Sequence, residues 1–166
     1  MKTELYWFSN ERTNGRLGIC SRPRGNDWLE DELQHFKASG VDILVSALEY
    51  DEQFELELLE ESLLCGQIGM IYLSYPIADR QTPSSMKSFY GFTKELSVEL
   101  LNGNNVMVHC RQGIGRSSLL VSGILRHLWS ESASEIFSFI SSYRGRTIPD
   151  TEEQILWLQK WIDIFF

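Results

Sequence analysis

Residues 105–123 read NVMVHCRQGIGRSSLLVSG, and this stretch decides the fold. Val106, Met107 and Val108 form an apolar, branched run of strand character. Leu119, Leu120 and Val121 carry a helical pattern. Between them lie Cys110, Gly113, Gly115 and Arg116. A strand therefore ends at a thiol, and a short glycine loop feeds a helix. In parallel sheets, ligands bind beyond the carboxyl ends of strands.

Outward from this unit the same alternation repeats. Residues 16–20 read as a strand, 26–40 as a helix closed by Gly40, and 41–48 as a buried strand. Residues 51–66 read as one helix, acidic at its start and closed by Gly66. A strand at 69–76 stops at Pro76. Thr82 is the expected N-cap of the next helix, with Pro83 at its first position and Phe89, Phe92, Leu96 and Leu100 on its apolar face. The helix behind the loop is expected over 116–129. Ser132 with Glu135, and Thr151 with Gln154, read as capping boxes of two further helices. Ile155, Leu158 and Ile162 give the last helix its apolar face, while Trp157 and Trp161 can pack inward or meet a partner. The expectation is a single α/β domain over 1–166. It is three-layered, with a mostly parallel central sheet of about four to five strands flanked by helices.

Composition narrows the function. The chain is 43% hydrophobic, enough for a core and too much for disorder. Its net charge of -8 disfavours nucleic acid and anionic membranes as partners. MKTELYWFSN lacks an apolar signal core, and no run reaches the length of a membrane span. Cys20, Cys65 and Cys110 fit no zinc spacing and cannot staple a secreted scaffold. A reducing, cytoplasmic location without metal or organic cofactor is expected. Oligomeric state stays open.

The loop at 110–116 has a chemistry of its own. Gly113 and Gly115 allow positive φ angles and let backbone N–H groups turn inward. With the helix dipole these donors cradle an anion and favour a thiolate at Cys110. Arg116 offers a planar fork for two oxygens of a phosphate. The loop is thus equipped for attack on phosphorus. Release of the alkoxide then needs a proton donor on a nearby loop. Asp79, in YLSYPIADRQTPS, follows a strand and a proline and is the candidate. Arg80 beside it reads as a solvated loop residue.

The run His109-Cys110-Arg111-Gln112-Gly113-Ile114-Gly115-Arg116-Ser117 resembles the Cys-x5-Arg signature of the cysteine-dependent protein tyrosine phosphatase superfamily. Asp79 lies 31 residues before Cys110 (110 − 79), about the separation found in dual-specificity phosphatases. PIADRQTP is similar to the loop of cyclin-dependent-kinase-associated phosphatases, whose helix also opens with Thr-Pro. Tyrosine-specific members carry Trp-Pro-Asp where this chain has Ile77-Ala78-Asp79. The departure points to the dual-specificity branch and a protein tyrosine phosphatase-like fold.

The resemblance implies a set of roles. Cys110 is the nucleophile, Arg116 the phosphate clamp and Asp79 the general acid. Ser117 assists the leaving thiolate. Arg111, Gln112, Gly113, Ile114 and Gly115 bind substrate through their amides. His109 sets the environment of the thiolate, though a plain strand-end histidine fits the sequence as well. YRGRTIPDTEEQILWL, residues 143–158, is also family-like. In some members its glutamine, here Gln154, orients the hydrolytic water, while its capping box gives it a structural reading too. Arg144 and Arg146 form either a solvated turn or an anionic rim.

The implied activity is hydrolysis of phosphotyrosine in a phosphoprotein substrate through a phosphocysteine, with phosphoserine and phosphothreonine left open. The alternatives are a phosphoinositide or RNA 5'-phosphate phosphatase, a catalytically weak phosphate-binding module, and a rhodanese-like sulfurtransferase. Cys20 and Cys65 read as core residues, with redox pairing to Cys110 open.

Overall fold

The computed structural model describes residues 1–8 and 12–166. Two short strands, β1 (Tyr6–Trp7) and β2 (Leu17–Cys20), lead through a 3-10 turn (Asn26–Trp28) into α1 (Leu29–Ala38). Then come β3 (Ile43–Ser46), α2 (Tyr50–Glu55), α3 (Glu61–Ile68) and β4 (Ile71–Ser74). The chain continues through α4 (Met86–Leu101), β5 (Val106–His109), α5 (Arg116–Arg126), α6 (Ala133–Arg144) and α7 (Glu152–Phe165). The sheet has five strands in the order β1-β2-β5-β3-β4. Pairing is parallel throughout except for β1, which runs antiparallel along the edge.

The central strands are buried on both faces, so their side chains divide between two cores. Leu17, Ile19, Ile43, Val45, Val106 and Val108 face the layer built by α4 to α7. Leu44, Met107 and Cys20 face α1 and α3. The expected three-layer α/β arrangement is therefore observed. β5 lies at the centre, between β2 and β3. The connections leaving all three strands meet at one edge of the sheet.

Local sequence misplaced several boundaries. The expected helix over 51–66 is two helices. After α2, Glu57 takes a left-handed φ of 58° and Leu58 turns into the core at 1% exposure. Burying that leucine contributes about 2 kcal/mol, enough to offset the roughly 1–2 kcal/mol cost of the left-handed residue. Helix α3 then runs past Gly66 to Gly69, whose φ of 93° closes it. Thr82 is not the N-cap of α4. Ser85 holds that position, its Oγ accepting from Ser88 N at 3.1 Å, while Pro83 is buried in the preceding loop. Both residues are good caps, and the burial of Pro83 defers the helix. The 116–129 helix stops at Arg126, and β1 has no counterpart in the expected strands.

Both later caps form. Ser132 Oγ accepts from Glu135 N, and Thr151 and Gln154 make a full capping box. Trp161 packs inward, fully buried, with its ring 4.9 Å from that of Phe89 and its Nε1 donating to the Met86 carbonyl. Trp157 meets the same phenylalanine at 5.0 Å. Among the described residues, no helix is long and apolar enough to cross a membrane.

Candidate active site

Strand β5 ends at His109, and Cys110 is the first residue beyond it. Seven residues later Ser117 lies in the first turn of α5. Its Oγ is 3.2 Å from Cys110 Sγ. The amide of Gly113 donates to the same sulfur at 3.3 Å. Gly113 has a φ of 70°, and a Cβ there would lie 2.6 Å from the Cys20 carbonyl. Only glycine combines that angle with that approach.

The loop's carbonyls are drawn away from the sulfur by bonds on its far side. Arg22 N donates to Arg111 O. Arg144 donates from Nε to Gly113 O at 3.0 Å and from Nη2 to Gln112 O at 2.8 Å. Leu119 N and Ser118 Oγ hold Gly115 O. With those acceptors occupied behind, the loop can present N–H groups to an anion in front. Arg144 thus braces the loop, and neither a solvated turn nor an anionic rim describes it.

Arg116 is 2% exposed, yet its charge is matched. Nη1 and Nη2 donate to the two Glu52 carboxylate oxygens at 2.6 and 2.9 Å, a bidentate pair. Nη1 also donates to Ile77 O at 2.9 Å, and Nη2 lies 3.2 Å from Asp79 Oδ1. Burial opposes the charge on Arg116, but the Glu52 bond and the charges of Cys110, Glu52 and Asp79 raise its pKa overall. Burial likewise opposes ionisation of Glu52. The hydrogen bond from Arg116, the Glu49 amide and the charges of Arg116 and Arg111 together outweigh it and hold that carboxyl below the usual range.

Cys110, Asp79, Arg80, Arg111, Gln112, Gly115, Arg116 and Asp150 line one cavity of about 120 Å³. Asp79 is 56% exposed at its mouth. The Ile114 side chain packs into the core, and the Gly113 amide donates to the sulfur. His109 lies behind the loop, fully buried. Its Nε2 is 3.0 and 3.1 Å from the Glu61 carboxylate oxygens and its Nδ1 is 3.2 Å from Cys110 O. Gln154 is also fully buried. Its Nε2 donates to Gln81 O at 3.1 Å, tying the Asp79 loop to the start of α7.

Four residues of this arrangement were not legible as such. Glu52 and Glu61 sit in an acidic run that reads as a solvated face. Arg144 reads as a turn residue. Asp150 belongs to the family-like Pro-Asp-Thr run, but nothing local shows that its carboxylate lies over Gly115, where any Cβ would overlap it. The three cysteines are free thiols. Cys20 and Cys65 belong to the core on the α1/α3 face, and Cys110 belongs to the other core. Burial pushes the Cys65 thiol up to about 12, and burial followed by the Glu61 charge raises Cys20 still more clearly. Among the described residues, no group of histidine, cysteine and acidic side chains could hold a metal.

Chemically, the arrangement presents a sulfur at the floor of an anion-sized cavity. A buried cation stands on one wall and an exposed carboxyl at the mouth. A family model described as "Polymorphic toxin system, DSP-PTPase phosphatase" matches residues 18–128. Cyclin-dependent kinase inhibitor 3 of Rattus norvegicus is 25% identical over 170 residues, covering 96% of this chain and 79% of that protein. Putative tyrosine phosphatase 123R of Invertebrate iridescent virus 6 is 30% identical over 100 residues, covering 59% of this chain and 70% of its own. A crystal structure of kinase associated phosphatase, with serine in place of its catalytic site cysteine, superposes with a TM-score of 0.90. It is 24% identical and covers 99% of this chain and 96% of that one.

Proposed function

The chain belongs to the DSP-PTPase phosphatase family and is a cysteine-dependent phosphoric monoester hydrolase acting on phosphoproteins, and we propose that it works through Cys110, Arg116 and Asp79. The observation that carries this reading is that the three share one small cavity, with Cys110 at its floor. The catalytic domain is taken as residues 1–166, because the loop after β4 and the loop after β5 complete the cavity together.

In the first step the Cys110 sulfur attacks phosphorus, the S–P bond forms and the P–O bond to the leaving group breaks. Arg116 and the amides of Arg111, Gln112, Ile114, Gly115 and Arg116 hold the phosphoryl oxygens, while the Gly113 amide stays on the sulfur. A phosphate oxygen takes over Arg116 Nη2 from Asp79, which frees that carboxyl to protonate the leaving oxygen. In the second step water attacks phosphorus, its proton passes to Asp79 and the S–P bond breaks. Ser117 Oγ steadies the departing sulfur. His109, pinned by Glu61, holds the Cys110 carbonyl behind the loop. Gln154 spends its amide on Gln81 O, which supports a positioning role for the Asp79 loop over direct contact with water.

The cations of the cavity are Arg80, Arg111 and Arg116, and Asp79 and Asp150 face them. That balance favours a single phosphoryl group on a protein over a polyphosphorylated headgroup. Phosphotyrosine is the primary substrate in this reading.

The test is hydrolysis of para-nitrophenyl phosphate in EDTA across pH. Wild type should turn over, and Cys110→Ser should lose at least about 10³-fold. Asp79→Asn should lose about 10²-fold or more and the alkaline limb of its profile, because a general acid must be protonated to act. A wild type that binds vanadate but hydrolyses nothing would make the protein a phosphate reader.

A further inference from the structure

Residues 38–79 contain no lysine, arginine or histidine. Part of this segment lines a groove of about 660 Å³ at the sheet edge that carries the active site. One wall comes from the 3-10 turn after β2, with Asp27. The other comes from the end of α2 and the turn after it, with Phe54, Glu55, Leu59 and Glu60, and Glu57 lies between them. Both walls belong to connections that leave the strands flanking β5. The groove and the Cys110 cavity are joined through one ion pair. Glu55 of the groove accepts from Arg111 of the cavity at 2.9 Å.

Two properties distinguish this groove from a solvated acidic face. It is partly apolar, because Phe54 is 67% exposed and Leu59 44% exposed on its rim. Three of its four carboxylates are also without a cationic partner among the described residues. Glu52 and Glu55 of the same segment are matched by Arg116 and Arg111, and Glu61 is hydrogen-bonded to His109. Asp27, Glu57 and Glu60 have no cationic partner among the described residues. An exposed aromatic beside unmatched carboxylates complements a lysine or arginine side chain, whose methylene stem lies on the ring while its charge meets the acids.

The groove adjoins the cavity through Arg111 and Glu55, so it is within reach of residues next to a phosphorylated side chain held over Cys110. We infer that the groove selects substrates whose phosphorylated residue is flanked by lysine or arginine. This rests on the phosphatase reading and names its substrate class. The cavity supplies the chemistry and the groove supplies the discrimination, through encounter rate and through contacts made only by the correct flank.

The experiment compares kcat/KM for three phosphotyrosine peptides, identical except that the two residues on either side of the phosphotyrosine are Lys, Ala or Glu. At low salt the lysine peptide should exceed the glutamate peptide by about tenfold or more, and the gap should shrink as ionic strength rises. The pair Glu57→Lys with Glu60→Lys should erase or invert the order while leaving para-nitrophenyl phosphate hydrolysis unchanged. A remote pair with the same charge change, Glu95→Lys with Asp163→Lys, should keep the order.

Equal rates for the three peptides, or an order that survives the groove pair, would overturn the inference. An order erased equally by the remote pair would do so too, since net charge would then suffice. If the groove pair melts early, Glu57→Gln with Glu60→Gln replaces it. A loss of about threefold in preference supports the groove, and an unchanged preference sinks it. Absent para-nitrophenyl phosphate hydrolysis in wild type would strike the phosphatase reading itself. Intact hydrolysis with peptides of equal rate would strike only the groove.

Discussion

The Arg116 guanidinium is fully enclosed, and at this scale its partner matters more than its burial. Glu52 holds both terminal nitrogens and fixes the plane of the fork that a phosphate must meet. Glu52→Gln preserves shape but removes the charge and one acceptor. It should lower kcat/KM for para-nitrophenyl phosphate by about ten- to a hundredfold, or about 1.4–2.7 kcal/mol. Steady-state kinetics check this, and a value within twofold of wild type would refute it. The pH dependence has a definite sign. Arg116 holds the Glu52 carboxyl below its ordinary value of 4.5, so its stabilising contribution is complete above that value. It is lost as pH falls through the lower value of the folded state. Glu52 was not legible in the sequence, because a glutamate in an acidic helix looks solvated until the fold carries that helix to Arg116.

At the scale of elements, the loop between β5 and α5 is a conformation held from outside. Its glycines and its arginine were readable, since their spacing fits few other uses. The brace was not, because Arg144 lies 31 residues from Gly113 in sequence. Gly113→Ala would place a Cβ against the Cys20 backbone in a left-handed conformation. The loop must shift, and its amides with it. A stability loss of about 1–3 kcal/mol is expected, with a fall in kcat/KM larger than that loss explains. Thermal melting and kinetics on the same sample separate the two, and an active Gly113→Ala protein would contradict the loop geometry. The broken helix at 56–60 teaches the same lesson. Propensity and charge pattern asked for one helix, and the burial of Leu58 decided for two.

Across the whole molecule, the last helix closes one core through Trp161, and His127 sits among its aromatic neighbours. Burial, with the nearby Lys94 and Arg126 charges, lowers the His127 pKa from 6.5 to about 4. The folded state therefore holds this imidazole neutral where the unfolded chain would protonate it. Stability from this site is complete above about pH 6.5 and declines as pH falls toward 4. Denaturant unfolding at pH 7.5 and 4.5 should show a smaller pH loss in His127→Gln than in wild type. Equal losses would place the acid sensitivity elsewhere.

The sequence by itself determined the alternation of strands and helices, the three-layer α/β architecture, and the loop from Cys110 to Ser117. Each is written in short-range spacing: period, caps, glycines and a thiol before an arginine. Tertiary structure decided which charges are matched. It brought Glu52 to Arg116 across 64 residues, Glu61 to His109 across 48 and Arg144 to the loop carbonyls. It also set Asp150 over Gly115 and placed Cys110 in a different core from the other two cysteines. The reason is physical. A local pattern reports what a segment can bury, whereas the partner of a buried charge is chosen by whichever distant residue the packed layers bring within hydrogen-bond reach.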